Sequence, residues 1–505
     1  MTEKSKFASL GQYAMALIVG AIYPLAFAPF ERWPMAILSI SAFWWFLKDA
    51  NPKAAFRLGF CYGLGLFAVG VSWVYVSINT FGNASEPLAV FLTALFVALL
   101  ASLFGLLAWL HRKFFATYSI FSQIIIFSLL WLALNFFQGY SFISFPWLFL
   151  GYTQTESIFM GIASLLGVHG VTLFLIPLSI LAAEVATEKT RNKIFALGSY
   201  LVLGLGLSWW GLNGQIKENG SLTVALIQPN IDQHQKWLRE NYIPIVSGQL
   251  EQTDNYWGKD LIVWPEASIP RMDAYAKEDL AYISSLAKDS NSTFLTGIPI
   301  MPDANNRSEY YAGMKQLGSI EAEYRKQQLV PFGEYVPFQA LIRGLIDLFD
   351  LPMSSFTPGD DQQKGFSDEK AYYIPAICYE IAFPELIQGL SAKSDSDLPQ
   401  AIVTISNDTW FGESWGPLQH FQMAKMRAIE NGLPVIRATN NGVTALVDHY
   451  GRVTDQENRF EKTVLAGVIP LTQRDTIYNQ YGQTSLFILM FILFGLAILF
   501  RKMGK

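Results

Sequence analysis

Long apolar runs separated by short polar breaks make up the first part of the chain, and a stretch of different character precedes one last apolar run. Apolar runs fall near 10–30, 33–47, 56–78, 87–110, 119–137, 162–186, 193–212 and 484–500. A helix needs about 20 residues to cross the hydrocarbon of a bilayer. Counting the short run at 33–47, the pattern predicts a polytopic bundle of about eight transmembrane helices. Between 215 and 483 short β-rich runs at 224–228, 261–264, 293–298, 374–378 and 401–406 alternate with helical patterns at 278–288 and 419–430. Continuous apolar strands between helices predict an α/β domain whose sheets are covered by helices. The expected organisation is therefore seven spans in 1–214, a catalytic domain in 215–483, and an eighth span with its tail in 484–505.

Charge placement gives this organisation an orientation, because Lys and Arg are retained on the cytoplasmic side. Lys4 and Lys6 precede the first run, Lys48, Lys53 and Arg57 follow the second, Arg112 and Lys113 follow the fourth, and Lys189, Arg191 and Lys193 follow the sixth. Arg501, Lys502 and Lys505 end the chain, whereas 79–86 and 138–161 contain no Lys or Arg and the first loop has only Arg32. Both termini are expected in the cytoplasm and 215–483 on the opposite face, which in a bacterium is the periplasm. The first run lacks a small-residue cleavage site and is expected to stay in the mature protein. Composition agrees: 51% of residues are hydrophobic and 15% charged, against about a quarter charged in a soluble domain. A net charge of −5 without blocks of like sign gives no support for a nucleic-acid partner.

Cys61 and Cys378 are the two cysteines, and Cys61 lies in an apolar run, so a disulfide framework is excluded. Neither HExxH nor CxxC spacing nor a glycine-rich phosphate loop occurs, and no metal or cofactor is implied. Three strand-to-loop junctions carry reactive side chains. WPEAS presents Glu266 after Pro265, KQQLVPFGE sets Lys326 and Glu334 around a Pro/Gly turn, and ICYE presents Cys378, Tyr379 and Glu380. Taken singly, Cys378 reads equally as a packed strand residue, Glu266 as a loop residue and Lys326, beside Arg325, as part of a solvated basic pair. Together in one domain they point to chemistry. A thiol needs a base or a nearby cation to react at neutral pH. Glu266 serves as that base if burial raises its pKa, while Lys326 stabilises an oxyanion and favours the thiolate, with the Tyr379 N–H as second donor. Glu334 would pair with Lys326 or hold Glu266, and Glu380 would play a similar supporting part.

A Glu, a Lys and a Cys in this order, within these motifs, resemble the nitrilase superfamily. The fuller match, with the domain inserted before the last span, resembles the membrane-embedded branch of that superfamily, the apolipoprotein N-acyltransferases, over essentially the whole chain. The resemblance implies an αββα sandwich, a catalytic triad of Glu266, Lys326 and Cys378 supported by Glu334, Tyr379 and Glu380, and residence in a bacterial inner membrane. It also implies a ping-pong reaction through a cysteine thioester, with a phospholipid as acyl donor and the α-amino group of a diacylated apolipoprotein as acceptor. A membrane-tethered amidase with water as second nucleophile shares the triad. A transporter is disfavoured, because the apolar runs hold almost no charged residues in their middles and no inverted repeat is evident.

Candidate substrate contacts are Phe338, Leu341, Ile342 and Leu345, at helical spacing, which form either an interfacial lid or a stripe packed on the domain itself. Trp237 lies in a polar arm, where it would contact an acyl chain or headgroup or anchor the arm. Trp147 follows Phe145 and Pro146 in an outside loop and fits an interfacial aromatic belt better than the floor of a site. His169 reads as a neutral, hydrogen-bonded bundle residue.

Overall fold

The computed structural model describes residues 3–214, 217–302, 309–337, 356–394, 397–473 and 475–502, with 3–9 by backbone alone. The chain divides into two compact units, Met1–Asn213 with Gln483–Lys505, and Gly214–Gly482.

The first unit is helical: α1 (Glu3–Ile22), α2 (Pro34–Leu47), α3 (Pro52–Gly70), α4 (Glu86–Phe114), α5 (Ile120–Tyr140), α6 (Ala163–Thr187), α7 (Arg191–Leu212) and the C-terminal helix Thr484–Leu499. Local chemistry starts several of them. Asn51, Ser119 and Thr190 accept N–H groups of the first turns of α3, α5 and α7, and prolines open α2 and α3, where a missing N–H costs nothing. Four segments, Glu86–Phe114, Ile120–Tyr140, Met160–Thr187 and Arg191–Leu212, are individually long and apolar enough to cross a membrane. A fifth is a pair, Pro52–Gly70 and Val74–Phe81, bent by 60°, and Leu10–Ala26, Pro34–Leu47 and Thr484–Leu499 are shorter apolar helices. The run that hydropathy reads as continuous over 56–78 is thus broken after Gly70, because composition along a run carries no information about chain direction. Burial separates centre from rim: 78% of the most apolar window of Met160–Thr187 is buried, against 17% for Arg191–Leu212. Phe195, Val202 and Trp209 of α7 are largely exposed, a surface suited to lipid rather than water. α1 and α3 approach to backbone contact, since a Cβ on Gly20 or Gly65 would lie 1.9 Å from the carbonyl oxygen of Tyr62 or Leu17, the close approach that small residues allow between membrane helices.

The second unit is α/β. Its strands are β1 (Glu218–Gln228), β2 (Leu261–Val263), β3 (Thr293–Ile300), β4 (Tyr311–Leu317), β5 (Ala322–Arg325), β6 (Phe366–Ser367), β7 (Tyr372–Ile377), β8 (Gln400–Ser406), β9 (Val435–Thr439), β10 (Ala445–Val447), β11 (Val453–Gln456) and β12 (Thr463–Thr472). One half runs β12-β1-β2-β3-β4-β5 and the other β6-β7-β8-β9-β10-β11, joined among the described residues where Thr472 of β12 meets Gln400 of β8. Both halves are mixed. β1, β2 and β3 are parallel, as are β7, β8 and β9, and the flanking strands are antiparallel. The period-2 alternation of strand side chains then sorts the core. Val224 and Leu226 of β1 and Leu261 and Val263 of β2 share a core with Ile374 of β7 and Ile402 of β8. Ala225, Ile227 and Ile262 turn the other way, onto Val246 of the helix Tyr242–Thr253 and Ile283 and Ala287 of the helix Lys277–Asp289. On the far side, the helices Pro384–Ala392 and Gly416–Asn431 contribute Ile387, Leu390, Phe421 and Ala424 to the shared core. Each Val, Leu, Ile or Phe side chain so buried contributes about 1.5–3 kcal/mol. The arrangement is a nitrilase-like fold with two sheets between helical layers, and the parallel strands β2, β7 and β8 deliver their carboxyl ends to one region, where ligands bind in open α/β sheets.

Candidate active site

Glu266 stands three residues past β2. Trp264 closes the strand with its N–H on Leu295 O at 2.8 Å, and Pro265, lacking an N–H, cannot extend the ladder. Ala267 then takes a left-handed conformation, φ 47°. The turn rests on β3 at Gly297, where a Cβ would sit 2.6 Å from Pro265 O and 2.7 Å from Glu266 Cα, so only glycine allows the backbone this close. The Glu266 carboxylate accepts the Asn407 N–H at 2.8 Å, and its main-chain carbonyl accepts from Lys236 Nζ at 3.1 Å. Asn407 directly follows β8.

Lys326 follows β5. Its backbone is held at both ends, with the N–H on Ala312 O at 2.8 Å and the carbonyl accepting the Gly359 N–H at 2.7 Å. The side chain is 1% exposed, with Nζ 2.7 Å from Glu334 Oε1 and 3.6 Å from Glu266 Oε1. Glu334 reaches Lys326 because its other oxygen accepts the Val330 N–H at 2.8 Å, closing a turn in which Phe332 is left-handed, φ 62°.

Cys378 follows β7 and is itself left-handed, φ 51°, at the start of a tight helical turn, Cys378–Ala382. Such a conformation in a residue with a Cβ costs about 1–3 kcal/mol and survives only when its surroundings impose it. Glu380 supplies part of that constraint. One of its oxygens accepts the Ile377 N–H at 2.8 Å, the other the Tyr324 hydroxyl at 2.9 Å and the Gln327 N–H at 2.6 Å, which ties the cysteine turn to the residue following Lys326.

Lys326 thus contacts both Glu334 and Glu266, and the charges of Glu266 and Lys326 both act on Cys378. Burial raises the Glu266 pKa above the ordinary glutamate value; Lys326 opposes the rise and Glu334 adds to it. Burial would pull Lys326 down, but Glu334, Glu266 and Cys378 outweigh it and hold the ammonium well above the usual lysine range. The Cys378 thiol is pushed far up by burial and by the Glu266 carboxylate, more than Lys326 lowers it. Lys326 thus favours the thiolate, as expected, but burial and Glu266 outweigh it. Burial pushes Glu380 up to about 7 against the pull of its N–H donors.

Lys236, Asn407 and Asp408, which the sequence reading did not single out, adjoin these residues. Lys236 is 1% exposed, and burial pulls it down to about 8 while Glu266 pushes back; it belongs to the short helix Gln233–Lys236, capped by Asp232, in the segment read as an arm. Trp237, next to it, is 37% exposed. Asn407 and Asp408 follow the apolar run 401–406, so the same strand-to-loop signal that marked the other junctions marks them. Trp147 belongs to the first unit and is 1% exposed, packed against Trp73 and Phe145 with ring centroids 5.2 and 5.5 Å away. Burial of the whole indole rules out the interfacial-belt reading, which needs a ring exposed at the membrane surface. His169 packs against Phe136 and Phe149. Phe338, Leu341, Ile342 and Leu345 lie outside the described residues.

The family model described as apolipoprotein N-acyltransferase N-terminal domain matches residues 19–181, and that described as carbon-nitrogen hydrolase matches 223–477. The chain is 39% identical to an apolipoprotein N-acyltransferase of Pseudomonas syringae pv. tomato over 97% of both chains. It is 40% identical to that of Azotobacter vinelandii over 97% of this chain and 95% of that one, and 37% identical to that of Photobacterium profundum over 100% and 98%. Two matched domains in one order, and identity at this level from end to end, leave one assignment: the chain belongs to the apolipoprotein N-acyltransferase family.

Proposed function

We propose that the enzyme moves an acyl chain from a membrane phospholipid, through a thioester on Cys378, to the α-amino group of the N-terminal diacylglyceryl-cysteine of lipoproteins. The observation that carries the chemistry is the cluster at the carboxyl ends of β2, β5 and β7: a buried ammonium between two carboxylates, with the Cys378 thiol within their electrostatic reach. Glu266 accepts the thiol proton as sulfur attacks the ester carbonyl. Lys326, locked in its charged form, cannot be the base; it stabilises the oxyanion together with the Tyr379 N–H. Collapse breaks the ester C–O bond, Glu266 returns the proton to the leaving oxygen, and a lysophospholipid departs. In the second half the lipoprotein amine attacks the thioester, Glu266 takes a proton from the amine, and collapse to the amide expels sulfur, which recovers that proton. A thioester has less resonance stabilisation than either ester or amide, so transfer to the amine is downhill, and water must be excluded while it persists.

The eight apolar segments are each assigned one crossing, with Pro52–Gly70 and Val74–Phe81 as one broken span. The termini are then cytoplasmic and 215–483 periplasmic, as the distribution of Lys and Arg requires. Connection to spans at both ends supports a substrate pair that is itself held in the membrane. Relatives at 37–40% identity carry the acyltransferase name, so the hydrolytic alternative is not favoured. Intact-mass analysis of the purified protein with phospholipid and no acceptor tests the reading. An acyl adduct is expected on the native chain and none on Cys378→Ala; an adduct that survives this substitution ends the assignment.

A further inference from the structure

Behind Cys378 lies a buried polar group that the reaction above does not use. His420 in the helix Gly416–Asn431, Asp408 after β8 and Arg437 in β9 are each at most 1% exposed. His420 Nε2 is 3.0 Å from the main-chain carbonyl oxygen of Cys378. A carbonyl oxygen can only accept, so Nε2 carries the hydrogen. At the other side of the ring, Nδ1 lies 3.1 Å from Arg437 Nη2 and 3.1 Å from Asp408 Oδ1. Arg437 Nη2 donates to Asp408 Oδ2 at 2.8 Å and Ser406 Oγ to Asp408 Oδ1 at 2.6 Å, which fixes both partners. Nδ1 thus faces a donor, Arg437, and an acceptor, the Asp408 carboxylate, at equal distance, so what the geometry fixes is the hydrogen on Nε2. Burial and then Arg437 lower the His420 pKa, with Asp408 opposing them.

The consequence runs through one peptide plane. Among the described residues the only cis bond is Ala28–Pro29, so the Cys378–Tyr379 peptide is trans, and its C=O and N–H point to opposite sides. Fixing the carbonyl fixes the direction of the Tyr379 N–H. A hydrogen bond accepted at the carbonyl also polarises the amide and strengthens its N–H as a donor. Glu380 already holds the preceding residue through the Ile377 N–H, and His420 secures the other side of the left-handed cysteine.

We propose that His420 is a positioning residue for the oxyanion site, holding the Cys378 carbonyl so that the Tyr379 N–H is aimed at, and strengthened toward, the tetrahedral intermediate. This rests on the acyl-transfer reading of the site. The test is single-turnover thioester formation by the full-length protein on mixed vesicles of zwitterionic and anionic diacylphospholipids, followed by intact mass, beside alkylation of Cys378 by iodoacetamide, a displacement with no oxyanion. His420→Leu should slow thioester formation by about 100-fold, the effect of losing one oxyanion donor, with KM for phospholipid and the alkylation rate within about twofold of the native chain. His420→Gln, whose side-chain amide places an N–H at the reach of Nε2, should recover most of the rate, and His420→Asn, one carbon shorter, should not. Should His420→Leu fail to fold, the Gln and Asn variants carry the comparison. Equal rates for these two, an unimpaired His420→Leu, or alkylation falling in step with acylation would each overturn the inference. A native chain that forms no thioester would defeat the acyltransferase reading itself, and this inference with it.

Discussion

Lys326 is almost sealed from solvent yet keeps its charge, because Glu334 at 2.7 Å and Glu266 at 3.6 Å face it. Removing the ammonium would leave two carboxylates facing each other in a poorly solvated place. Lys326→Met is therefore expected to destabilise the domain by about 3–5 kcal/mol, the usual result of breaking a buried pair from one side, and to slow thioester formation at least 100-fold or so. Thermal unfolding in detergent and single-turnover rates measure the two losses, and an unchanged melting temperature would mean the pair is not coupled as described. The same cluster dictates a pH response. Glu266 accepts a proton only when ionised, and its pKa lies above the ordinary 4.5, so activity should fall with decreasing pH through a midpoint above that value. Glu266→Gln should remove both the activity and that acidic limb; a midpoint at or below 4.5 would contradict the raised pKa. Glu266 was legible because it follows an apolar strand run, and Lys326 and Glu334 because they flank a Pro/Gly turn. The direction of the thiol's shift was not legible, since it depends on burial summed with Glu266 and Asp408 against Lys326.

At the scale of elements, reactive side chains sit just beyond short strands, and close backbone packing rather than side-chain reach places them. β2 has three residues, and its exit turn lies on Gly297 of β3. Gly297→Ala would drive a methyl against Pro265 O and Glu266 Cα, backbone atoms that cannot swing aside. The expected outcome is a folded protein whose thioester formation is slowed by about 100-fold, the cost of misplacing a reacting group by about 1 Å. A single-turnover assay paired with circular dichroism checks it, and full activity would show that the turn tolerates the shift. The strands β1, β2, β3, β7 and β8 were legible from runs of apolar and β-branched residues, which both faces of a buried strand require. The break after Gly70 and the burial of Trp147 were not, because a hydropathy run reports the solvent a segment prefers and not its path or its neighbours.

For the whole molecule, the proposed topology puts the α/β unit and the basic loops on opposite sides of one membrane. Single cysteines introduced in a chain lacking both native cysteines test this. Lys288→Cys, on an exposed helix position, should react with a membrane-impermeant maleimide in cells with a permeabilised outer membrane, and Lys189→Cys, also exposed, only after lysis. The reverse pattern would overturn the orientation.

Division into a membrane part and an α/β part, the chain order of the candidate residues and the chemistry class they point to were properties of the sequence itself, because hydropathy, period-2 patterning and strand-end motifs are local. Convergence of Glu266, Lys326 and Cys378, the second lysine beneath Glu266, and the His420 contact behind Cys378 were decided by tertiary structure alone. Each depends on which strand ends are neighbours in the sheet, and that is settled only when separate segments compete to bury the same apolar surface.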